Sequence, residues 1–171
     1  LIMKVIFEGY FNFIVTVASL IVVISQWYLE NIEGLVPCNL CLLQKFSAQA
    51  IALIFLIKMV VQKFNILLDF FGLGAMIFGL SASLRQIYLQ NLPKDELPMG
   101  LCDMPFDAIF TLYPFFEGMQ KVFLGSSKCA EEEWWFLGLN IAEWSGIFFS
   151  SMLLLMLVRY VLIMFKGHKY N

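Results

Sequence analysis

The chain of 171 residues is 61% hydrophobic and only 14% charged, with a mean hydropathy of +0.82. Such an apolar composition excludes an ordinary soluble domain and makes this a membrane protein. The net charge of −2 comes without the basic patch that a nucleic-acid surface requires, so no nucleic acid is expected as a partner.

A helix crossing a hydrocarbon core of roughly 30 Å needs about 20 mostly apolar residues. Taken in chain order, Tyr10–Leu29, about Leu40–Val61, Phe64–Leu84 and about Ser145–Phe165 meet that length. The first carries no charge. It is too long for the apolar region of a signal peptide and lacks a small-residue cleavage site before Pro37, so it is expected to be retained. The second and third are joined by little more than Gln62 and Lys63, which predicts a tight helical hairpin. The expected fold is an all-α four-transmembrane-helix bundle, a single membrane domain over residues 1–171. Its outer loops cover about 30–39 and about 85–144, the longer lying between the third and fourth helices.

Charge orients this bundle. Lys4, Lys58, Lys63, Arg159, Lys166 and Lys169 fall on one side of four spans, and short basic loops stay cytoplasmic. Both termini are therefore expected inside, while Glu30, Glu33, Asp95, Glu96, Asp103, Asp107 and the later acidic residues fall in the outer loops. Asp69, within two turns of the hairpin, is expected to snorkel or pair across it rather than relay protons.

Cys38, Cys41, Cys102 and Cys129 all lie on the outer side, where disulfides persist. Four cysteines allow three pairings; Cys38 and Cys41 are close enough to bridge locally, leaving Cys102 and Cys129 to close the longer loop. Pro37 suits the first position of a helix because its missing N–H would be unpaired there. A helix beginning at Pro37 places Cys38, Cys41 and Lys45 on one stripe, where the helix N-terminus and the ammonium favour thiolate. Lys45 is alternatively a snorkelling anchor. Zinc is not expected, since only one close cysteine pair exists and the sole histidine, His168, is in the opposite tail. Two structural disulfides bracing an outer loop remain an alternative, although a Cys-x-x-Cys bridge closes too short a loop to constrain much of the unfolded chain.

Pro93, Pro98, Gly100 and Pro105 interrupt regular structure around Cys102 and predict a mobile stretch suited to thiol exchange. The aromatic-rich stretch Phe106–Leu124, broken at Pro114, reads as a short interfacial helix or as packing against the bundle. Trp134, Trp135 and Trp144 read as an aromatic belt before the last span.

The segments Val36–Lys45 (Val-Pro-Cys-Asn-Leu-Cys-Leu-Leu-Gln-Lys), Leu84–Pro93 (Leu-Arg-Gln-Ile-Tyr-Leu-Gln-Asn-Leu-Pro) and Gly125–Leu139, with Ile141–Trp144, resemble the DsbB family of disulfide-bond formation proteins. The resemblance covers nearly the whole chain and all four cysteines in order. It implies an inner-membrane thiol oxidase that reoxidises a periplasmic DsbA-like partner with membrane quinone. Cys102 would form the mixed disulfide, Cys129 would resolve it, and electrons would pass to Cys38–Cys41 and from Cys41 to ubiquinone or menaquinone. The family's DsbA is a strong oxidant, at about −120 mV, so its reoxidation needs an acceptor of higher potential, such as a quinone. Lys45 is the expected quinone-binding residue beside Cys41; Arg85, at the outer end of the third span, is a second candidate, with anchoring at the interface the preferred role. Many family members have arginine where Lys45 stands and histidine where Asn91 stands; lysine keeps the charge but lacks the planar fork that bonds a carbonyl at two points. A disulfide-braced scaffold without redox turnover is the alternative from a different class.

Overall fold

The computed structural model describes residues 2–61, 65–93, 95–97, 104–131 and 134–168. Four long helices, α1 (Ile2–Asn31), α2 (Asn39–Val60), α3 (Asn65–Gln90) and α6 (Ile141–His168), alternate in direction, and each contains a segment long and apolar enough to cross a membrane. Between α3 and α6 lie α4 (Phe106–Leu112), α5 (Phe115–Leu124), a 3-10 turn at Ser127–Ala130 and a hairpin of β1 (Trp135–Phe136) with β2 (Leu139–Asn140). The termini and the α2–α3 junction mark one end of the bundle, the terminal end; the cysteines mark the other.

Three of the long helices extend well past their expected limits. Helix α3 runs to Gln90 instead of stopping at Leu84, because Leu89 is fully buried and the chain meets its first proline only at Pro93. This extra turn and a half carries Gln86 and Gln90. Helix α6 begins at Ile141 instead of Ser145, and its start has a reciprocal cap. Asn140 N–H donates to Glu143 Oε2 and Glu143 N–H donates to Asn140 Oδ1, both at 2.9 Å. Helix α1 begins before Tyr10 and so carries Glu8 within the bundle.

Helix α1 packs on α2, α2 on α3 and α3 on α6. Phe11, Val15, Ile51, Phe55, Met76, Phe149 and Met156 form the central core. Gly79 allows α3 and α6 to approach closely, since a Cβ there would stand 2.4 Å from the Phe149 ring. A second cluster, around Leu40, Leu43, Leu89, Ile109 and Val122, seats α4 and α5 on the cysteine end. The aromatic-rich stretch is two helices joined at Pro114; α5 buries Val122 and leaves Phe116 86% exposed.

At the terminal end each long helix contributes one charge to a buried tetrad. Asp69 accepts from Lys58 across the hairpin and from Arg159 Nη1 at 3.0 Å, while Arg159 Nη2 reaches Glu8 Oε2 at 2.7 Å. Lys58, Asp69 and Arg159 are all at most 5% exposed. Asp69 therefore pairs across the hairpin, and Glu8, a residue without an evident role in the sequence, completes the neutral set. Removing one member of a buried ion pair leaves an uncompensated charge and costs ~3–5 kcal/mol. Asp69→Leu is expected to lower thermal stability in detergent by that amount, whereas Lys58→Met/Asp69→Leu, which retains the neutral Arg159–Glu8 pair, is expected to recover much of it. Equal melting of the single and double variants would show that charge balance is not what the tetrad provides.

Candidate active site

The site is built on the N-terminus of α2. Cys38 is the N-cap, in extended conformation, and its Sγ accepts the Cys41 N–H at 3.3 Å. The helix thus begins at Asn39 rather than Pro37, because a capping side chain can reach back to the free amides only from a non-helical residue. Cys38 Sγ donates to Cys41 Sγ at 2.9 Å, and both are free thiols. Cys129, fully buried on the 3-10 turn, belongs to the same buried cluster as Cys38, and Ser126 Oγ donates to its Sγ at 3.9 Å.

Gly125 makes that approach possible. It ends α5 at φ 78°, and a Cβ would stand 2.5 Å from Leu89 Cδ1, so the chain turns tightly against α3 before reaching Cys129. The Cys129 N–H then donates to Ser126 O at 3.0 Å.

The trio is electrostatically graded. Cys129 is lowered to about 6 by the hydrogen bond from Cys38, then by backbone groups of Leu40 and Ser126, against the opposing effect of burial. Leu40 lies in the first turn of α2, where backbone N–H groups have no helical partner and favour an anion. Cys38 is pushed far up, first because its proton is held between Cys129 and Cys41 and then by burial. The helix N-terminus therefore favours thiolate at Cys129, whereas Cys38 keeps the proton.

Cys38, Cys41 and Lys45 line one cleft of about 70 Å³, walled by Leu29, Val36 and Ile141 among others. The expected stripe is present, but Lys45 Nζ is committed to Glu30 Oε2 at 2.5 Å. The group touching the Cys41 sulfur is instead Gln86, whose Nε2 lies 3.3 Å from Sγ. Gln86 escaped the sequence reading because α3 was expected to end one residue before Arg85; the Gln86/Gln90 spacing of one helical turn was the available signal. Arg85 lies elsewhere: it donates from Nη2 to Leu124 O at 3.0 Å, where a cation suits the end of α5, and stacks over Tyr88. Cys102 and its proline-rich surroundings from 98 to 103 lie outside the described residues.

Gln26, Leu29, Trp134 and Ile141 also line a second, apolar groove of about 820 Å³ between the cysteine-end halves of α1 and α6. Trp134 and Phe136 stack at its rim, and Trp144 Nε1 donates to Phe136 O at 3.0 Å. The tryptophans are thus fixed around a hairpin whose turn has Leu137 and Gly138 at φ 52° and 81°. Among the described residues, no cluster of histidine, cysteine and carboxylate groups could hold a metal.

The family model for disulfide bond formation protein DsbB matches residues 9–159. The chain belongs to the DsbB family. It is 35% identical to a disulfide bond formation protein B of Marinobacter nauticus over 75% of this chain and 77% of that protein. A protein of the same name from Acinetobacter baylyi is 30% identical over 90% of this chain and 93% of its own length. Both aligned lengths reach beyond the Cys-x-x-Cys segment.

The graded trio sets a pH expectation. In reduced protein with Cys102→Ala, the thiolate absorbance lost on adding Cys129→Ala should titrate near pH about 6. Because this value is lowered on folding, its contribution to stability is fully present above the ordinary thiol range and is lost as pH falls through about 6. Cys38→Ala removes the principal cause and should move that midpoint upward; an unmoved midpoint would contradict the assignment.

Proposed function

We propose that this protein oxidises a periplasmic DsbA-like dithiol partner and transfers the electron pair to ubiquinone or menaquinone in the inner membrane. The observation that carries the reading is the position of Cys38, whose sulfur lies 2.9 Å from Cys41 Sγ and which shares one buried cluster with Cys129. Thiol–disulfide exchange needs such contact, because a thiolate must reach a disulfide sulfur directly.

In this reading Cys102 and Cys129 begin as a disulfide. A partner thiolate attacks Cys102 and releases Cys129 as thiolate; the second partner thiol then displaces Cys102, so the partner leaves oxidised. Cys129 thiolate attacks Cys38 of a Cys38–Cys41 disulfide and releases Cys41. Cys102 next attacks Cys129, restoring the outer disulfide and releasing Cys38. The lowered Cys129 suits it to be both leaving group and attacking group.

A bound quinone supplies a two-electron, two-proton acceptor, and the balance is partner dithiol plus quinone to partner disulfide plus quinol. The cleft residues fit such a molecule. Its wall is largely apolar, and Gln26 and Gln44 each leave a buried Oε1 without a partner, an acceptor suited to a quinol hydroxyl. Cys41 delivers electrons from within the cleft, with the Lys45–Glu30 pair at its edge, and the neighbouring apolar groove offers a route for a lipid-soluble tail. Arg85, engaged with Leu124, has no part in this proposal. The basic termini favour a cytoplasmic terminal end and a periplasmic cysteine end.

Purified protein supplied with quinone and reduced DsbA-like partner should oxidise the partner with matching loss of quinone, and Cys41→Ser should abolish turnover. Unchanged turnover in that variant would overturn the electron route. Supplied with oxidised partner, Cys129→Ala is expected to accumulate a mixed disulfide, formed when Cys102 thiolate attacks the partner disulfide and displaces one partner thiolate with no Cys129 to resolve the product, read on a non-reducing gel; normal turnover without that species would eliminate the outer-pair exchange. A scaffold would instead leave its disulfides oxidised when the partner is offered.

A further inference from the structure

We infer that Gln86, oriented by Gln44, is the positioning residue that holds the Cys41 sulfur as a thiolate ready to give up its electrons. The inference deepens the proposed thiol oxidase function and rests on it for the purpose served, although the contact itself stands on geometry alone.

Gln86 is near the C-terminal end of α3, and Cys41 is in the first turn of α2. Gln86 Nε2 lies 3.3 Å from Cys41 Sγ, and its Oε1 lies 3.5 Å from the same sulfur. One amide therefore serves both protonation states. A thiol can donate to the carbonyl oxygen, whereas a thiolate has only the N–H to accept from.

Gln44 decides which of these the amide favours. Its Nε2 donates to Gln86 Oε1 at 2.8 Å, the shorter contact, so the carbonyl is occupied and the amide N–H is left to face the sulfur. Gln44 and Gln86 are 1% and 4% exposed, so water does not compete for either group. Donor chains in low dielectric polarise one another, and a hydrogen bond to a charged acceptor is stronger than one between neutral groups. The Lys45 ammonium is committed to Glu30. Gln44 also leaves its own Oε1 buried and without a hydrogen-bond partner, so this pair does more than satisfy its own polar atoms.

The competing explanation is that two glutamines simply join α2 to α3 in an apolar surrounding. Gln86→Glu separates the two. A carboxylate keeps the acceptor for Gln44 Nε2, and so keeps the interhelical bond, but it has no donor for the sulfur and adds a like charge beside it.

The test uses the full-length chain with Cys41 as its only cysteine for alkylation, and the four-cysteine chain for turnover. Gln86→Glu and the volume-matched Gln86→Met should each slow iodoacetamide alkylation of Cys41 at neutral pH by about tenfold or more, the range expected for losing a hydrogen bond to a charged group. In turnover, kcat should fall while the KM for the dithiol partner stays unchanged. Gln44→Met should give a smaller loss in both, because the amide at position 86 remains but is no longer oriented.

Alkylation and kcat at the parent level in Gln86→Glu would overturn the inference and leave the glutamines as a helix–helix contact. Should Gln86→Met fail to fold, Gln86→Glu, with its retained bond to Gln44, decides alone. A parent protein that does not couple partner oxidation to quinone loss would instead refute the proposed function, and the alkylation series would still answer for the contact.

Discussion

Charge neutrality inside the terminal end of the bundle is the constraint on which the arrangement of the long helices depends. An isolated ion in a low-dielectric interior carries a desolvation cost of several kcal/mol, so none of Lys58, Asp69 and Arg159 is tolerable there without a partner of opposite charge. Because each comes from a different helix, satisfying them fixes the rotation and depth of all four. Apolar packing in lipid has little directional preference, and the ionic contacts supply it. Phe11, Phe55 and Tyr160 place their rings beside the two cations and complete the enclosure.

With the terminal end tied, the cysteine end is free to be open and polar. Helices α1 and α6 meet through Glu8 and Arg159 at one end, while an apolar groove lies between them at the other. The glutamines at positions 26, 44, 86 and 90 collect at that open end. Gln90 accepts from Asn140 Nδ2 at 3.1 Å, so the cap of α6 is bonded to the same turn of α3 that holds Cys41. The cleft is thereby framed by groups whose own positions are fixed by helix ends, which is a more rigid support than loops provide.

The three described cysteines show how one helix terminus can serve more than one thiol. Cys38 caps α2 with its sulfur, and Cys129 approaches the same first turn from outside the helix. The proton stays on the central sulfur because Cys129 and then Cys41 favour its protonated form and burial disfavours its thiolate. Local sequence near Cys38 could not reveal this, since the partner that draws on its proton arrives from about ninety residues downstream through Gly125 and a 3-10 turn.

The sequence by itself determined the four long helices, their order, the paired helices around Lys63 and the cysteine-bearing mouth of the second, because hydrocarbon thickness dictates helix length and apolar runs are readable one residue at a time. What lay beyond it were matters of partnership. Lys45 reads identically whether its ammonium serves a thiolate or Glu30, and Arg85 whether it approaches a ligand or Leu124 O. Glu8 carries no local signal of importance and Gln86 only its spacing of one turn from Gln90; each acquires its role from a group on another helix. Only the tertiary structure decided these, because charge pairing and hydrogen bonding depend on distances between helices, and hydropathy along one helix contains no record of them.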